Sequence, residues 1–267
     1  MIGGGLVAGV FGSLLGLGGG LLIVPLLAFV FQLSLLKAIG VSLVCVIVTS
    51  GAAAGVYLER RVANLRLGMT LELFSAAGAL IGGLIAFALD ERVIAALFAV
   101  LLVYTAVSMA RRRPPEPDLA SAPSETATAA GDTWTSSVQG EDYEVRALGR
   151  GSLASVGAGV VSALLGVGGG IVKVPVMHLV MGVPLRVATA TSNLMIGVTA
   201  SAGAIIYLLR GEIEPLVAGP TALGVFAGAT LGSRTAHRID VRILRALFVI
   251  VLIYTAIQMI RRAVGAP

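Results

Sequence analysis

The sequence predicts an all-α protein that crosses a membrane several times and is built from two homologous halves. Three observations predict this class. Of the 267 residues, 57% are hydrophobic and only 12% are charged, whereas about a quarter of the residues in a soluble domain are charged. The hydrophobic residues form runs long enough to cross a bilayer. Finally, the same motifs recur at a constant spacing of 150 positions along the chain.

Four apolar segments precede a polar stretch, and four more follow it. The first four occupy roughly 2–31, 34–58, 67–89 and 91–110, and the second four 152–181, 184–209, 215–237 and 241–260. The polar stretch is rich in Pro, Ser, Thr and Ala and carries seven of the 14 acidic residues. Because such a composition cannot bury a core, we expect a flexible linker over 114–150, between transmembrane repeats at 1–113 and 151–267.

A tandem duplication is predicted because adding 150 to a residue number aligns the two halves without a gap. The glycines at 18–20 recur at 168–170, and the Val-Pro pair at 24–25 recurs at 174–175. Hydrophobicity shared by all membrane helices does not reproduce such motifs in register.

The first segment of each half decides how the halves are oriented. It contains several glycines and a proline, so it is a poor continuous helix. If it spans the membrane, the halves are parallel and the Lys and Arg residues divide about 11 to 7 between the two sides. If it turns back, the halves are inverted and the division is 12 to 5. The sharper bias favours re-entrant first segments, inverted repeats, a cytoplasmic linker and both ends of the chain outside.

A Gly-x-Gly-Gly-Gly motif followed by Val-Pro interrupts the first segment of each half, at 16–20 and 166–170. A break in lipid persists only where the freed backbone groups line a cavity or are buried in protein. The half-helix after the glycines directs N–H groups and a positive dipole end into that space, which suits an anion. Close packing through small residues is the alternative, and it better explains isolated pairs such as Gly78 and Gly82. The candidate substrate-binding glycines are Gly18, Gly19, Gly20, Gly168, Gly169 and Gly170.

Other candidate side chains lie in the first and second segments. Lys173 follows Gly170 by three residues within an apolar run, where the first half has Ile23. A charge at that depth is costly unless it faces water or a partner, so we expect Lys173 to contact an anionic substrate; snorkelling to the interface is the alternative. Hydroxyl and amide groups also suit an oxyanion, with hydrogen bonding to the helix backbone as the alternative. The candidates of this kind are Ser42, Thr191, Ser192 and Asn193.

Several other classes of function are excluded or disfavoured. The sequence has no Ser-His-Asp order and no metal-ligand set, so we expect neither an enzyme nor a bound metal or cofactor. The net charge of +5 is explained by positive residues that flank membrane segments, so no nucleic acid is expected as a partner. Glu72 is a candidate for carrying a coupling proton, but we expect it to lie at the membrane interface.

The two Gly-x-Gly-Gly-Gly motifs with their Val-Pro pairs, each followed by a stretch containing Ser and Thr, resemble the TauE/SafE sulfite exporter family of small bacterial and archaeal permeases. The resemblance covers both halves, essentially 1–113 and 151–263. It implies transport of a small sulfur-containing or carboxylate anion, such as sulfite, sulfoacetate or thiosulfate.

We therefore expect a multi-pass permease of the inner or plasma membrane whose partners are lipid and a small anionic substrate. Two broken repeats favour alternating access within one protomer, and a proton gradient is the expected driving force. The alternatives are a passive anion channel and a membrane scaffold that transports nothing. A homodimer is compatible with each of these functions.

Overall fold

A computed structural model describes residues 1–15, 19–59, 63–111, 145, 147–235 and 241–265. Within these ranges the regular structure is helical, which confirms the predicted all-α class. The helices are α1 Ile2–Leu15, α2 Gly20–Val30, α3 Leu35–Glu59, α4 Leu65–Ala88, α5 Glu91–Arg111, α6 Leu148–Leu165, α7 Gly170–Pro175, α8 Leu185–Leu209, α9 Pro215–Thr235 and α10 Val241–Val264. α7 continues directly into a π-helical segment over Val176–Val180.

Seven helices in the described ranges are long and apolar enough to cross a membrane, namely α3, α4, α5, α6, α8, α9 and α10. Large hydrophobic side chains cover their outer faces, and Leu73, Leu216 and Ile250 are among the most exposed. Water would disfavour an apolar surface of this extent, whereas lipid accommodates it. The chain is therefore a multi-pass membrane protein.

The first segment of each half is interrupted at its glycine motif, as predicted. The first motif separates α1 from α2, and the second separates α6 from α7. At the second break, Gly166, Gly168 and Gly169 have φ angles between 70° and 77°. Residues with a Cβ rarely adopt this left-handed conformation, which explains why these positions are glycine.

Each interrupted segment folds back on itself. In the first half, Gly4 of α1 lies against Leu26 of α2, and the Ala8 carbonyl lies near Gly19. Residue numbers rise along one helix as they fall along the other, so α1 and α2 are antiparallel and form a helical hairpin. The second half has matching contacts, of Gly151 with Met181 and of Gly169 with the Ala158 carbonyl.

Glycines allow each hairpin to pack closely against a helix of the other half. A Cβ on Gly9 of α1 would collide with the Val225 carbonyl oxygen of α9, and a Cβ on Gly159 of α6 with the Ser75 carbonyl oxygen of α4. Small residues commonly let membrane helices approach at this distance. The two contacts are equivalent under the 150-residue offset, since Gly9 corresponds to Gly159 and Ser75 to Val225.

The second segments of the two halves, α3 and α8, pack against each other and run antiparallel. Gly40 lies against Tyr207, and Gly197 lies against Ser50. These two helices, which are equivalent under the 150-residue offset, thus point in opposite directions. The predicted inversion of the repeats stays a prediction.

The packing role of Gly159 can be tested against its neighbour Gly157, which is exposed on the same helix with no atom near its Cβ position. Gly159→Ala should destabilise the protein by roughly 1–3 kcal/mol, because the added methyl group overpacks the contact with α4. Gly157→Ala should leave the protein unchanged or stabilise it by up to about 1 kcal/mol through helix propensity. Thermal unfolding in detergent measures both, and equal effects would contradict the packing described.

Candidate functional site at the helix breaks

The two glycine breaks meet in the interior of the protein. A Cβ on Gly20 would collide with the Gly166 carbonyl oxygen. Ser42 Oγ on α3 donates a hydrogen bond to that carbonyl oxygen at 2.8 Å and lies 3.4 Å from the Gly20 carbonyl oxygen. Carbonyl groups that are freed at a helix break and cannot reach water need a hydrogen-bond donor from the protein. Ser42 supplies such a donor and so stabilises the junction. The structure thereby brings together Gly20 and Ser42, two predicted site residues, while Gly18 lies outside the described residues.

The second break is enclosed by side chains from three helices. Gly168 lies between Val46 of α3 and Ile196 of α8. A Cβ built on Gly169 would lie 3.2 Å from Ser162 Cβ of α6. A Cβ built on Gly170 would lie 3.5 Å from Ser192 Oγ of α8. The predicted residues Gly169, Gly170 and Ser192 therefore form one cluster.

Two hydroxyl groups beside this break have no hydrogen-bond partner among the residues that the structure describes. Ser162 Oγ and Ser192 Oγ are both buried and unpartnered, and the two residues are at most 1% exposed. A buried hydroxyl without a partner costs roughly 1–3 kcal/mol, so such groups are uncommon and need an explanation. Ser162 lies beside Gly169 and Ser192 beside Gly170, so the two hydroxyls are candidate donors for an additional ligand.

The other predicted hydroxyl and amide residues hold helices together. Thr191 Oγ1 accepts a hydrogen bond from the Asn64 backbone N–H at 3.0 Å, which anchors the start of α4. The Asn193 carbonyl accepts one from Ser50 Oγ and so joins α8 to α3. These contacts are structural, whereas any contact of Thr191 or Asn193 with a substrate stays a prediction.

Lys173 is buried deep in the protein and is already paired. Only 2% of the residue is exposed. Its Nζ donates to Glu72 Oε2 at 3.1 Å and to Thr199 Oγ1. The Thr199 hydroxyl in turn donates to Glu72 Oε1 at 2.6 Å. The alternative of a lysine snorkelling to the interface is therefore wrong, and the ammonium group has a protein counter-ion that the sequence did not reveal.

Glu72 is buried in the protein as well, whereas its expected position at the membrane interface stays a prediction. The residue is 7% exposed and points into the protein from the second turn of α4. The physical reason is its partner, because a carboxylate is retained in an apolar interior when an ammonium group and a hydroxyl satisfy its oxygens. Removing one partner of such a buried pair typically costs about 3–5 kcal/mol.

Sequence reasoning missed two further residues of this region. Ser162 corresponds to Gly12 in the first half and Thr199 to Thr49, so only the first of them differs between the halves. For Ser162 a signal was available, because the second half has a hydroxyl residue beside its helix break where the first half has a glycine. For Thr199 there was none, because its role depends on Glu72, which lies 127 residues away.

The titratable side chains of the site do not form a metal centre. Over the described residues no group of three His, Cys, Asp or Glu side chains is close enough to hold a metal ion. The chemistry available at the breaks is therefore hydrogen bonding by hydroxyl and amide groups, with one ammonium–carboxylate pair nearby.

Apolar spanning helices, paired helix breaks in the interior and buried polar groups where the breaks meet define a membrane transport protein. Sequence comparison agrees with this class. The chain belongs to the sulfite exporter TauE/SafE family, whose model matches residues 1–259.

Curated relatives of the chain are described as transporters. It is 28% identical to the probable membrane transporter protein YunE of Bacillus subtilis, over 96% of this chain and 94% of that protein. It is 26% identical to a probable membrane transporter protein of Methanocaldococcus jannaschii, over 91% of this chain and 88% of that protein. No solved structure matches the chain. These descriptions point to transport and not to catalysis.

The unpartnered hydroxyls lead to an unusual expectation for stability. Ser192→Ala and Ser162→Ala should each leave the free energy of unfolding unchanged or raise it by about 1 kcal/mol, because the substitution removes a buried polar group that bonds to nothing. Ser42→Ala should instead lower it by roughly 1–2 kcal/mol, since the Gly166 carbonyl loses its donor. Denaturation in detergent measures all three, and a destabilised Ser192→Ala variant would show that the hydroxyl has a structural partner.

Proposed function

We propose that this protein is a secondary transporter that moves a small sulfur-containing or organic anion across the cell membrane by alternating access. The family description names sulfite, and thiosulfate and sulfoacetate extend the proposed class to related sulfur oxyanions. The observation that carries the proposal is the pair of unpartnered hydroxyls, Ser162 and Ser192, at the second helix break.

The break offers neutral donors to an oxyanion. Ser162 lies beside Gly169 and the Ser192 hydroxyl beside Gly170, where the first N–H groups of α7 lack acceptors within their own helix. Hydrogen bonds to a charged ligand contribute about 1.5–3 kcal/mol each. A sulfonate or sulfite group has several oxygen atoms, so it can accept from both hydroxyls at once.

Alternating access is supported by the course of the helices. α3 and α8 are equivalent under the 150-residue offset and antiparallel, and each half contributes one hairpin to the junction. In transporters with inverted repeats, the substrate site lies at the repeat interface near the bilayer midplane, and one repeat moves against the other around it. In this proposal, the junction of the two breaks is that site.

The same helix course supports the expected orientation in the membrane. Because α1 and α2 form a hairpin, α3 begins on the side where α1 begins. Three crossings by α3, α4 and α5 then place the 114–150 linker on the opposite side, and the second half reverses the pattern. The larger share of Lys and Arg residues lies on the linker side, which makes that side cytoplasmic by the positive-inside rule.

Transport is tested with the purified full chain in proteoliposomes, loaded with sulfite, thiosulfate or sulfoacetate. The wild type should show saturable flux and counterflow of at least one of them. Ser192→Ala and Ser162→Ala should each reduce affinity roughly 10- to 100-fold, the equivalent of one hydrogen bond to a charged ligand.

Ser201→Ala serves as the matched control on α8. Its hydroxyl donates to the Gly197 carbonyl of its own helix at 2.8 Å and does not face the break, so flux should be unchanged. Non-saturable flux without counterflow would indicate a passive channel. Absence of flux and binding for all three anions would overturn the proposed function.

The orientation is tested separately with reporters that are active on one side of the membrane only. Fusions placed before α1 and after α10 should report the outer side, and a fusion within the 114–150 linker should report the cytoplasm. If the reporters place the linker and either end of the chain on the same side of the membrane, the proposed topology with re-entrant hairpins is contradicted.

A further inference from the structure

A buried charge cluster lies one helical turn from the break and involves three helices. Lys173 extends from α7, Glu72 from α4 and Thr199 from α8. The ammonium group contacts Glu72 Oε2 at 3.1 Å, and the hydroxyl contacts Glu72 Oε1 at 2.6 Å. Both carboxylate oxygens are thus satisfied, and the cluster carries no net charge when both groups are ionised.

Helix packing does not require this cluster. Under the 150-residue offset, Ile23 of the first half is equivalent to Lys173, and Ala222 of the second half is equivalent to Glu72. Ile23 is fully buried, which shows that an apolar side chain fills the equivalent place. A buried ion pair is weak as a stabilising device, because desolvation offsets most of its attraction. A charged pair in only one of two similar environments therefore needs a functional reason.

Lys173 lies where its ammonium group can reach either Glu72 or the break. Its backbone N–H donates to the Gly169 carbonyl at 3.0 Å, so Lys173 is one turn beyond the glycines. The Cα–Cβ bond of a helical residue is tilted toward the helix N-terminus, which here is the break with Ser162 and Ser192. A rotamer change, without movement of the helix, redirects the long side chain from the carboxylate to a ligand there.

We propose that Glu72 binds the co-transported proton and that Lys173 is shared between Glu72 and the transported anion. A proton from water joins a Glu72 carboxylate oxygen, Lys173 Nζ then donates its hydrogen bonds to the anion, and Glu72 remains neutral beside Thr199. On release the anion leaves, Glu72 loses its proton to water and the ion pair forms again. No covalent bond other than this O–H bond is made or broken.

The single ammonium group makes the two binding events obligatory partners. An anion without the proton would leave two negative groups sharing one ammonium group, and a proton without the anion would leave a buried ammonium group unpaired. Both states are costly in an apolar interior. The ammonium group is paired with a single anion in two states only. These are the empty site with its ion pair and the site that holds both the proton and the transported anion, so only these two states favour reorientation of the site across the membrane.

Other titratable groups on the packed elements do not face this cluster. Arg66 of α4, Arg150 of α6 and His178 of the π-helical segment are exposed, and His178 Nδ1 lies 3.0 Å from the Val183 carbonyl oxygen. Arg186 lies in the first turn of α8, about 20 Å of helix rise from Thr199. Proton binding is thereby assigned to Glu72.

This inference rests on the proposed anion transport, and its test uses the same proteoliposomes with thiosulfate, whose charge is constant between weakly acidic and neutral pH. The wild type should accumulate thiosulfate when a pH gradient is imposed. In detergent it should take up one proton for each thiosulfate bound, with an affinity that rises about tenfold for each pH unit of acidification. If sulfoacetate and not thiosulfate is transported, the same measurements are made with sulfoacetate.

Glu72→Gln should separate coupling from transport. This variant should bind the anion with an affinity independent of pH, take up no proton and exchange internal for external anion, but should no longer accumulate it in a pH gradient. Glu214→Gln is the matched control, because Glu214 forms an exposed ion pair with Lys37 at 3.6 Å and should retain full coupling.

Each outcome decides the inference. Accumulation driven by the pH gradient in Glu72→Gln would overturn it while leaving the anion transport proposal intact. If Glu72→Gln does not fold, the wild-type proton count decides alone, since anion binding without proton uptake would overturn the inference. A wild type that neither binds nor moves any of the three anions would overturn the transport proposal itself.

Discussion

The structure depends on one constraint, that a helix broken inside an apolar interior must find partners for its free backbone groups. The two breaks of this chain satisfy the requirement because they pack against each other. Gly20 packs against the Gly166 carbonyl, and Ser42 supplies the hydrogen bond that this carbonyl needs. Glycine is required at both breaks, by the left-handed backbone at Gly169 and by the close approach at Gly20. The hairpins, their packing against α4 and α9, and the central α3 and α8 pair all bring these two turns together.

The two breaks share a left-handed glycine before the second helix, Gly19 and Gly169, and differ in side chains. On the first side the junction is completed by Ser42 and by apolar residues such as Ile23. The second side carries two hydroxyls without partners, Ser162 and Ser192, and the charge cluster of Lys173 with Glu72. The predicted duplication accounts for the shared frame, whereas the polar groups distinguish the second break. The proposed anion site and its coupling group lie next to each other at this break, where Lys173 of the second half contacts Glu72 of the first.

Much of the architecture could be predicted from local sequence. Hydropathy located the spanning helices, and the glycine motifs located the breaks, because both depend on residues adjacent in the chain. The partners of buried polar groups could not be located in this way. Ser42 bonds to a carbonyl 124 residues away and Lys173 to a carboxylate 101 residues away, and no pattern along the sequence encodes either distance. The sequence likewise does not indicate a buried partner for Glu72, and only its contacts with Lys173 and Thr199 show why a carboxylate is retained in the interior.

The central claim is that the second helix break is an anion site formed by Gly169, Gly170, Ser162 and Ser192. An experimental structure of the chain with bound thiosulfate tests it most directly. The account predicts the anion between the two serine hydroxyls, with its oxygens within hydrogen-bond distance of both and Lys173 turned toward it. Thiosulfate bound elsewhere, with Ser162 and Ser192 still enclosed and unpartnered, would contradict the account.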